Sequence, residues 1–235
     1  MWPGLIEEWQ LTPEWVGWYN EREGRYCVAC HSSARTDQLS GVIVQALGKF
    51  SGIRSNNLKH ACSSDMLSNL KIAEINSAGT IHQFLKKLPG LHYSEYASSN
   101  TAIRSEDLSQ LSYATSFFDM VITSETLEHV PDVDKAFSEI YRVLKPGGVH
   151  VFTIPVVWDR NKTRVRACLS ENGIDYLMPP SYHGAPNDNH EDYLVFNEFG
   201  ADVVSRVERA GFVVELIKDP ENPALVCFYT TKKAF

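Results

Sequence analysis

Residues 116–155 constrain the fold of this chain more than any other stretch. An apolar run, Phe118–Thr123, leads through the turn Ser124–His129 to a helix pattern that opens at Asp132. Val133, Ala136, Phe137, Ile140, Val143 and Leu144 recur at helical spacing, and an aspartate at the start can accept a backbone N–H of the first turn. Pro146-Gly147-Gly148 stops the helix, and Val149–Ile154 is a second apolar run. Strand, helix and strand in this order predict a parallel pairing joined by a crossover.

The pattern extends in both directions. Lys71–Ile75 reads as a short strand, and Thr80–Leu88 as a helix, with Ile81, Phe84, Leu85 and Leu88 on one side and Pro89-Gly90 as its stop. Leu91–Glu95 is a second strand and Ala102–Arg104 a very short third. Only seven residues separate Glu95 from Ile103, too few for a crossover helix. Downstream, Asn197 is expected to open a helix with Val203, Val204, Val207 and Ala210 buried, ended by Gly211. Phe212–Ile217 and Leu225–Thr230 follow, with no helix between them, as an antiparallel hairpin at the sheet edge. The expected fold is α/β, a Rossmann-like doubly wound, mostly parallel sheet. In such sheets ligands sit beyond the carboxyl ends of the strands.

The first part of the chain reads differently. Trp2, Trp9, Trp15 and Trp18, four of the five tryptophans, lie here. Thr12-Pro13 is a helix start, with a helix to about Asn20 burying Trp15, Trp18 and Tyr19. Ser40–Phe50 reads as a helix, and Ser51–Ser64 as irregular. Residues 1–65 are therefore expected to form a helical or irregular cap or lid, and 66–235 the sheet domain. The cap's aromatics are expected to anchor on another surface, over the cleft or in self-association.

Residues 116–155, SFFDMVITSETLEHVPDVDKAFSEIYRVLKPGGVHVFTIP, resemble the class I S-adenosyl-methionine-dependent methyltransferases, in particular the small type 11 methyltransferase domains. The LEHV and LKPGG elements carry the likeness, which extends more loosely over residues 70–230. The resemblance implies S-adenosyl-methionine as cofactor and methyl transfer as activity. It places Glu74 as the acid that begins the glycine-rich motif. Here the motif reads EINSAGT, with Asn76, Ala78 and Thr80 at the glycine positions and Gly79 displaced. Asn tolerates left-handed backbone angles, and Ala78 is the smallest replacement for its glycine. The resemblance further implies Glu95 as acceptor for the ribose hydroxyls, Asp107 and the amide of Leu108 as partners of the adenine, with Glu106 a rival, and Ser124 in the segment under the methionine. His129, in that segment, is either structural or a general base.

About forty residues, 156–196, separate the fifth strand from the next helix, longer than common loops. This insert is the expected seat of substrate choice, through Trp158, Tyr182 and His183. His183 is the preferred general base, against a histidine that bonds loop backbone. Arg160, Lys162, Arg164 and Arg166 either form a solvated ribbon or hold one anionic group of a substrate. His190-Glu191-Asp192 closes the polar part of the insert.

Cys27 and Cys30 form a CxxC, half of a zinc site by spacing. His60 and Cys62 are weak candidates for the other half, a redox pair is a further alternative, and the expectation is no metal. The net charge of −7 disfavours a duplex nucleic-acid partner. No stretch reaches the length of a membrane span. Met1–Trp9 carries Glu7 and Glu8 and no basic residue, unlike a signal peptide, so a cytoplasmic location is expected. The expected function is methyl transfer to a small or medium organic substrate. Two alternatives stand beside it: a methyltransferase-like binding or regulatory protein without catalysis, and other chemistry with the same cofactor.

Overall fold

A computed structural model describes residues 3–183 and 193–234. The helices are α1 (Pro3–Trp9), α2 (Pro13–Gly24), α3 (Ala34–Ser51), α4 (Leu58–Ala61), α5 (His82–Leu85), α6 (Val133–Val143) and α7 (Val203–Arg209). The central sheet contains β1 (Ile72–Ile75), β2 (Leu91–Glu95), β3 (Arg104–Ser105), β4 (Phe118–Ser124), β5 (Leu144–Thr153), β6 (Phe212–Lys218) and β7 (Val226–Lys232). Its order is β6-β7-β5-β4-β1-β2-β3. The pairings from β3 to β5 are parallel, while β7 is antiparallel to both β5 and β6. The expected doubly wound, mostly parallel sheet with an antiparallel edge hairpin is the observed one.

Alternation along the strands divides the core into two layers. Ala73, Ile75, Val121 and Phe152 face α6 and α7, where Val133, Phe137, Ile140, Val203 and Val207 are buried. Ile72, Met120, Ile122, Val149 and Val151 face the other way, against Leu39, Ile43 and Leu47 of α3 and Leu85 of α5. The side chain of Asp132 accepts the N–H of Lys135 and caps α6 as its sequence predicts. The expected division at residue 65 is not a division of the core, because α3 supplies one of the two layers. The amphipathic run of α3 begins at Ala34, capped by Ser33, rather than at Ser40.

Other local expectations change for identifiable reasons. α1 was not anticipated, and α2 runs on to Gly24. The helix expected over 80–88 is a single 3-10 turn, Gly79–Ile81, followed by α5. Pro146-Gly147-Gly148 lies within β5 as a bulge, where the pairing jumps from Phe118–Leu144 to Met120–Val149 and Gly147 takes φ +77°. Asn197 does not open a helix. Asn197–Glu198 pairs instead with Arg164–Val165, and α7 starts only at Val203. Leu58–Ala61 forms a turn of helix in the stretch read as irregular. Among the described residues, no helix is long and apolar enough to cross a membrane.

Gly90 precedes β2, where its backbone passes close to that of Leu70 just ahead of β1. A Cβ there would lie 1.8 Å from the carbonyl oxygen of Leu70. Gly90→Ala should therefore push the two strands apart and lower stability by about 1–3 kcal/mol, the usual cost of overpacking. Urea unfolding measures this; an unchanged midpoint would show that the backbone yields without cost.

Candidate active site

The carboxyl ends of β1, β2 and β4 open on one edge of the sheet. Glu74 is fully buried there. One of its oxygens accepts the N–H of Ala78 at 2.9 Å, and the other lies 2.6 Å from His82 Nδ1. Burial pushes its carboxyl above the ordinary range, against the pull of Ala78 and His82. Glu74 thus closes its own loop. Asn76 adopts φ +58° and Gly79 φ +64°, left-handed angles of the kind that Asn and Gly adopt most readily. Asn76 Oδ1 accepts the N–H of Tyr96 at 2.9 Å, tying this loop to the one after β2. Ala78 is buried in the α3 layer, where a larger side chain would displace core.

Glu95 is half-buried at the end of β2 and accepts the hydroxyls of Tyr93 and Ser98. Each carboxylate oxygen can accept a second hydrogen bond. Glu106 is turned inward, where it accepts the backbone and hydroxyl of Ser112 and the guanidinium of Arg104. Asp107 is exposed, with one oxygen on the N–H of Ser109, and Leu108 is buried beside it. The structure therefore leaves Asp107, not Glu106, facing outward.

The end of β4 is covered by the N-terminal helices. Ser124 Oγ accepts Arg35 at 2.7 Å. Arg22 is fully buried and grips Glu125 through two hydrogen bonds, at 2.7 and 2.9 Å, while also contacting Glu23. Glu125 itself takes φ +46°, a sparsely populated angle for a glutamate that its surroundings must hold. Trp9, Trp15 and Tyr19 are buried with Val157, Val195 and Ala224, and Trp15 Nε1 donates to Asp159 at 2.6 Å. A cavity of about 90 Å³ lies beneath, lined by Leu5, Trp9, Tyr19, Arg22, Glu125, Pro155 and His183. A wider, open depression of about 590 Å³ lies between α3 and residues 53–60 and shares no lining residue with it.

His129, His183 and Glu128 meet beside this cavity. The imidazole centroids are 4.9 Å apart, and Trp9 stands edge-on to His183 at 5.9 Å. Of the three insert residues expected at the substrate, only His183 lines the cavity. Trp158 stacks on Phe228 and donates to the carbonyl of Pro223 at 3.0 Å. Tyr182 is exposed, its hydroxyl 3.3 Å from that of Tyr176. The aromatic wall comes instead from Trp9 and Tyr19.

The basic run of the insert is neither a solvated ribbon nor a free anion site. Arg160 and Arg166 bond the fully buried carboxylate of Glu198, and Arg164 lies 3.9 Å from it. Only Lys162 of the run is exposed. His190-Glu191-Asp192 lies outside the described residues.

Cys27 and Cys30 are exposed, and the Cys30 thiol is lowered by Ser32. Cys62 is buried in the α3 layer, where burial pushes its thiol up to about 11, and His60 is exposed against Ser55. Among the described residues these four do not assemble into a ligand cluster.

The sequence reading missed Arg22, Arg35 and Glu125, while Trp9 and Tyr19 belong to the N-terminal aromatics expected to anchor over the cleft or in self-association. A signal existed for one: Trp15, Tyr19 and Arg22 share a helix face at i, i+4 and i+7, which puts an arginine on a buried stripe.

Residues 77–152 match the model of a family described as a methyltransferase domain. A sterol 24-C-methyltransferase of Yarrowia lipolytica is 40% identical over 63 residues, 26% of this chain and 16% of that protein. A probable S-adenosylmethionine-dependent methyltransferase of Mycolicibacterium smegmatis is 28% identical over 105 residues, 42% of this chain and 41% of that protein. The chain thus spans less than half the length of these relatives. Among solved structures, an S-adenosylmethionine-dependent methyltransferase from Mesorhizobium loti superposes with TM-score 0.46 at 16% identity, over 71% of this chain and 92% of that one. The [4+2]-cyclase SpnF superposes with TM-score 0.49 at 12% identity, over 83% of this chain and 81% of that one.

Proposed function

Because residues 77–152 belong to the class I S-adenosyl-methionine-dependent methyltransferase family, we propose that this protein binds S-adenosyl-methionine and methylates a small or medium organic molecule. The observation that carries the reading is the family match at the carboxyl edge of β1 and β4, the edge where Glu95 and Asp107 keep acceptors accessible. These residues fit the cofactor. Glu95 would accept the ribose hydroxyls through its remaining lone pairs, Asp107 the adenine amino group, and the Leu108 amide would donate to a ring nitrogen. Asn76 and Gly79, at their left-handed angles, bring the loop after β1 past the edge. When bound, the cofactor supplies a methyl group on a positively charged sulfur.

The chain's own part is alignment and exclusion of water. Trp9, Tyr19 and Pro155 wall the cavity, and its size suits the reacting end of a substrate rather than the whole molecule. The proton of a hydroxyl or amine acceptor would be lost at the Glu128–His129–His183 cluster. Residues 3–24 act here as a lid, since Trp9, Tyr19 and Arg22 all line the cavity.

Calorimetry with S-adenosyl-methionine tests this. Wild-type protein should bind, and Glu95→Ala should bind at least about tenfold more weakly, the cost of losing hydrogen bonds to a charged acceptor. No binding by the wild type at millimolar cofactor would sink the proposal. A second reading, binding without transfer, is favoured by one observation: the loop after β1 reads EINSAGT, with Asn76, Ala78 and Thr80 at the glycine positions. Cofactor binding with no labelled methyl passed to any acceptor would favour it.

A further inference from the structure

Glu128 is the most exposed contradiction in the energetics of this fold. It is fully buried, yet among the described residues neither carboxylate oxygen accepts a hydrogen bond. A buried carboxylate without a partner costs several kcal/mol. Two imidazole nitrogens face it: Nε2 of His129 at 3.8 Å and Nε2 of His183 at 3.9 Å from Oε1. Both are too distant for hydrogen bonds.

The tautomer of His129 follows from its other side. Nδ1 lies 3.0 Å from the carbonyl oxygen of Leu194. A carbonyl only accepts, so Nδ1 carries the hydrogen, and in the neutral ring Nε2 keeps its lone pair. A backbone carbonyl that takes one ring N–H and leaves the other nitrogen free to bind is how metal-binding histidines are usually held.

The three donor atoms, one carboxylate oxygen and two imidazole nitrogens, lie within 4.8 Å of one another. Around a tetrahedral ion with bonds of about 2.1 Å, donors lie about 3.4 Å apart. The observed 3.8 and 3.9 Å to Glu128, and an imidazole–imidazole separation of at most 4.8 Å, would have to contract to that spacing through side-chain rotation on binding.

We propose that Glu128, His129 and His183 form a binding site for a first-row divalent transition-metal ion. Two imidazoles and one carboxylate leave coordination positions open and suit zinc, manganese or iron. His183 also lines the small cavity, so the open positions face the place where a substrate oxygen would arrive. The imidazoles then serve as ligands rather than as the general bases expected from the sequence. A metal-bound oxygen loses its proton more readily than a free one. The metal site stands or falls independently of the methyl-transfer reading.

The test uses the full chain carrying Cys27→Ser and Cys30→Ser, which removes the exposed thiols as a competing zinc site. After treatment with a chelator, it is titrated with zinc and with manganese by calorimetry. One ion per chain should bind, and adding His183→Ala should weaken binding at least tenfold. Far-UV circular dichroism confirms folding of each variant; should His183→Ala unfold, His183→Asn takes its place. In the same chain the metal should raise the thermal unfolding midpoint, and the His183 variant should lose that shift. Absence of saturable binding of either ion, or binding unchanged by the His183 substitution, would overturn the proposal. Cofactor calorimetry reads a different ligand, so failure of one leaves the other intact.

Discussion

Glu198→Ala is expected to destabilise the protein by about 3–5 kcal/mol, the cost of removing one partner from a buried ion pair. Glu198 and Arg166 are both fully buried, and Arg160 donates to Glu198 at 2.7 Å. Removing the carboxylate strands one guanidinium in the interior and leaves a second half-enclosed. Arg166 also donates to the carbonyls of Pro179 and Glu8. The loss therefore spreads to the contact between the insert and α1, and with it to Trp9 at the cavity wall. Urea unfolding measures the change. Lys162→Ala, an exposed change in the same run, should fall within about 0.5 kcal/mol of wild type. A Glu198→Ala loss as small as that of Lys162→Ala would show that the arginines find other partners or water.

Arg22→Ala should cost a similar amount, about 3–5 kcal/mol, through Glu125. Here the pH dependence identifies the interaction. Burial alone would raise the Glu125 carboxyl, but the guanidiniums of Arg22 and Arg35 outweigh it and hold the pKa at about 2, below the ordinary 4.5. A carboxyl depressed in the folded state binds its proton more readily when unfolded. The stabilisation is thus fully present above pH 4.5 and lost as pH falls from 4.5 through 2. Arg22→Ala should flatten this part of the stability profile, and Arg22→Met with Glu125→Gln should recover part of the loss at neutral pH. Acid titration followed by circular dichroism reads both. If Arg22→Ala and wild type lose stability in parallel over that range, the pair contributes nothing.

The two cases locate the limit of what a sequence tells about this chain. The sheet was legible because its information is local. The apolar stripe of α6, the Asp132 cap and the glycine pair after Lys145 lie within sixteen residues of one another, and periodicity alone says which face is buried. That Glu74 and Glu95 lie at or near strand ends follows from the same runs, while the roles expected of them come from the family resemblance. Charge pairing is not local. Arg22 meets Glu125 across 103 positions, and Arg166 meets Glu198 across 32. A basic run reads the same whether water or a buried carboxylate lies opposite it.

The cavity shows the same division. Its wall joins Trp9 and Tyr19 to His183, and the tryptophan-rich start of the chain announced burial without saying against what. The helix expected at Asn197 failed for this reason too. Helical spacing of Val203, Val204 and Val207 held, but the demand of three arginines for Glu198 kept Asn197–Glu198 extended against Arg164–Val165. Local propensity determined the elements of the sheet, because backbone geometry and side-chain periodicity act over a few residues. Only the tertiary structure decided which charges pair, which aromatics enclose the cavity and which histidines face Glu128, because burial makes an unpaired charge costly and the chain satisfies it wherever the fold brings a partner close.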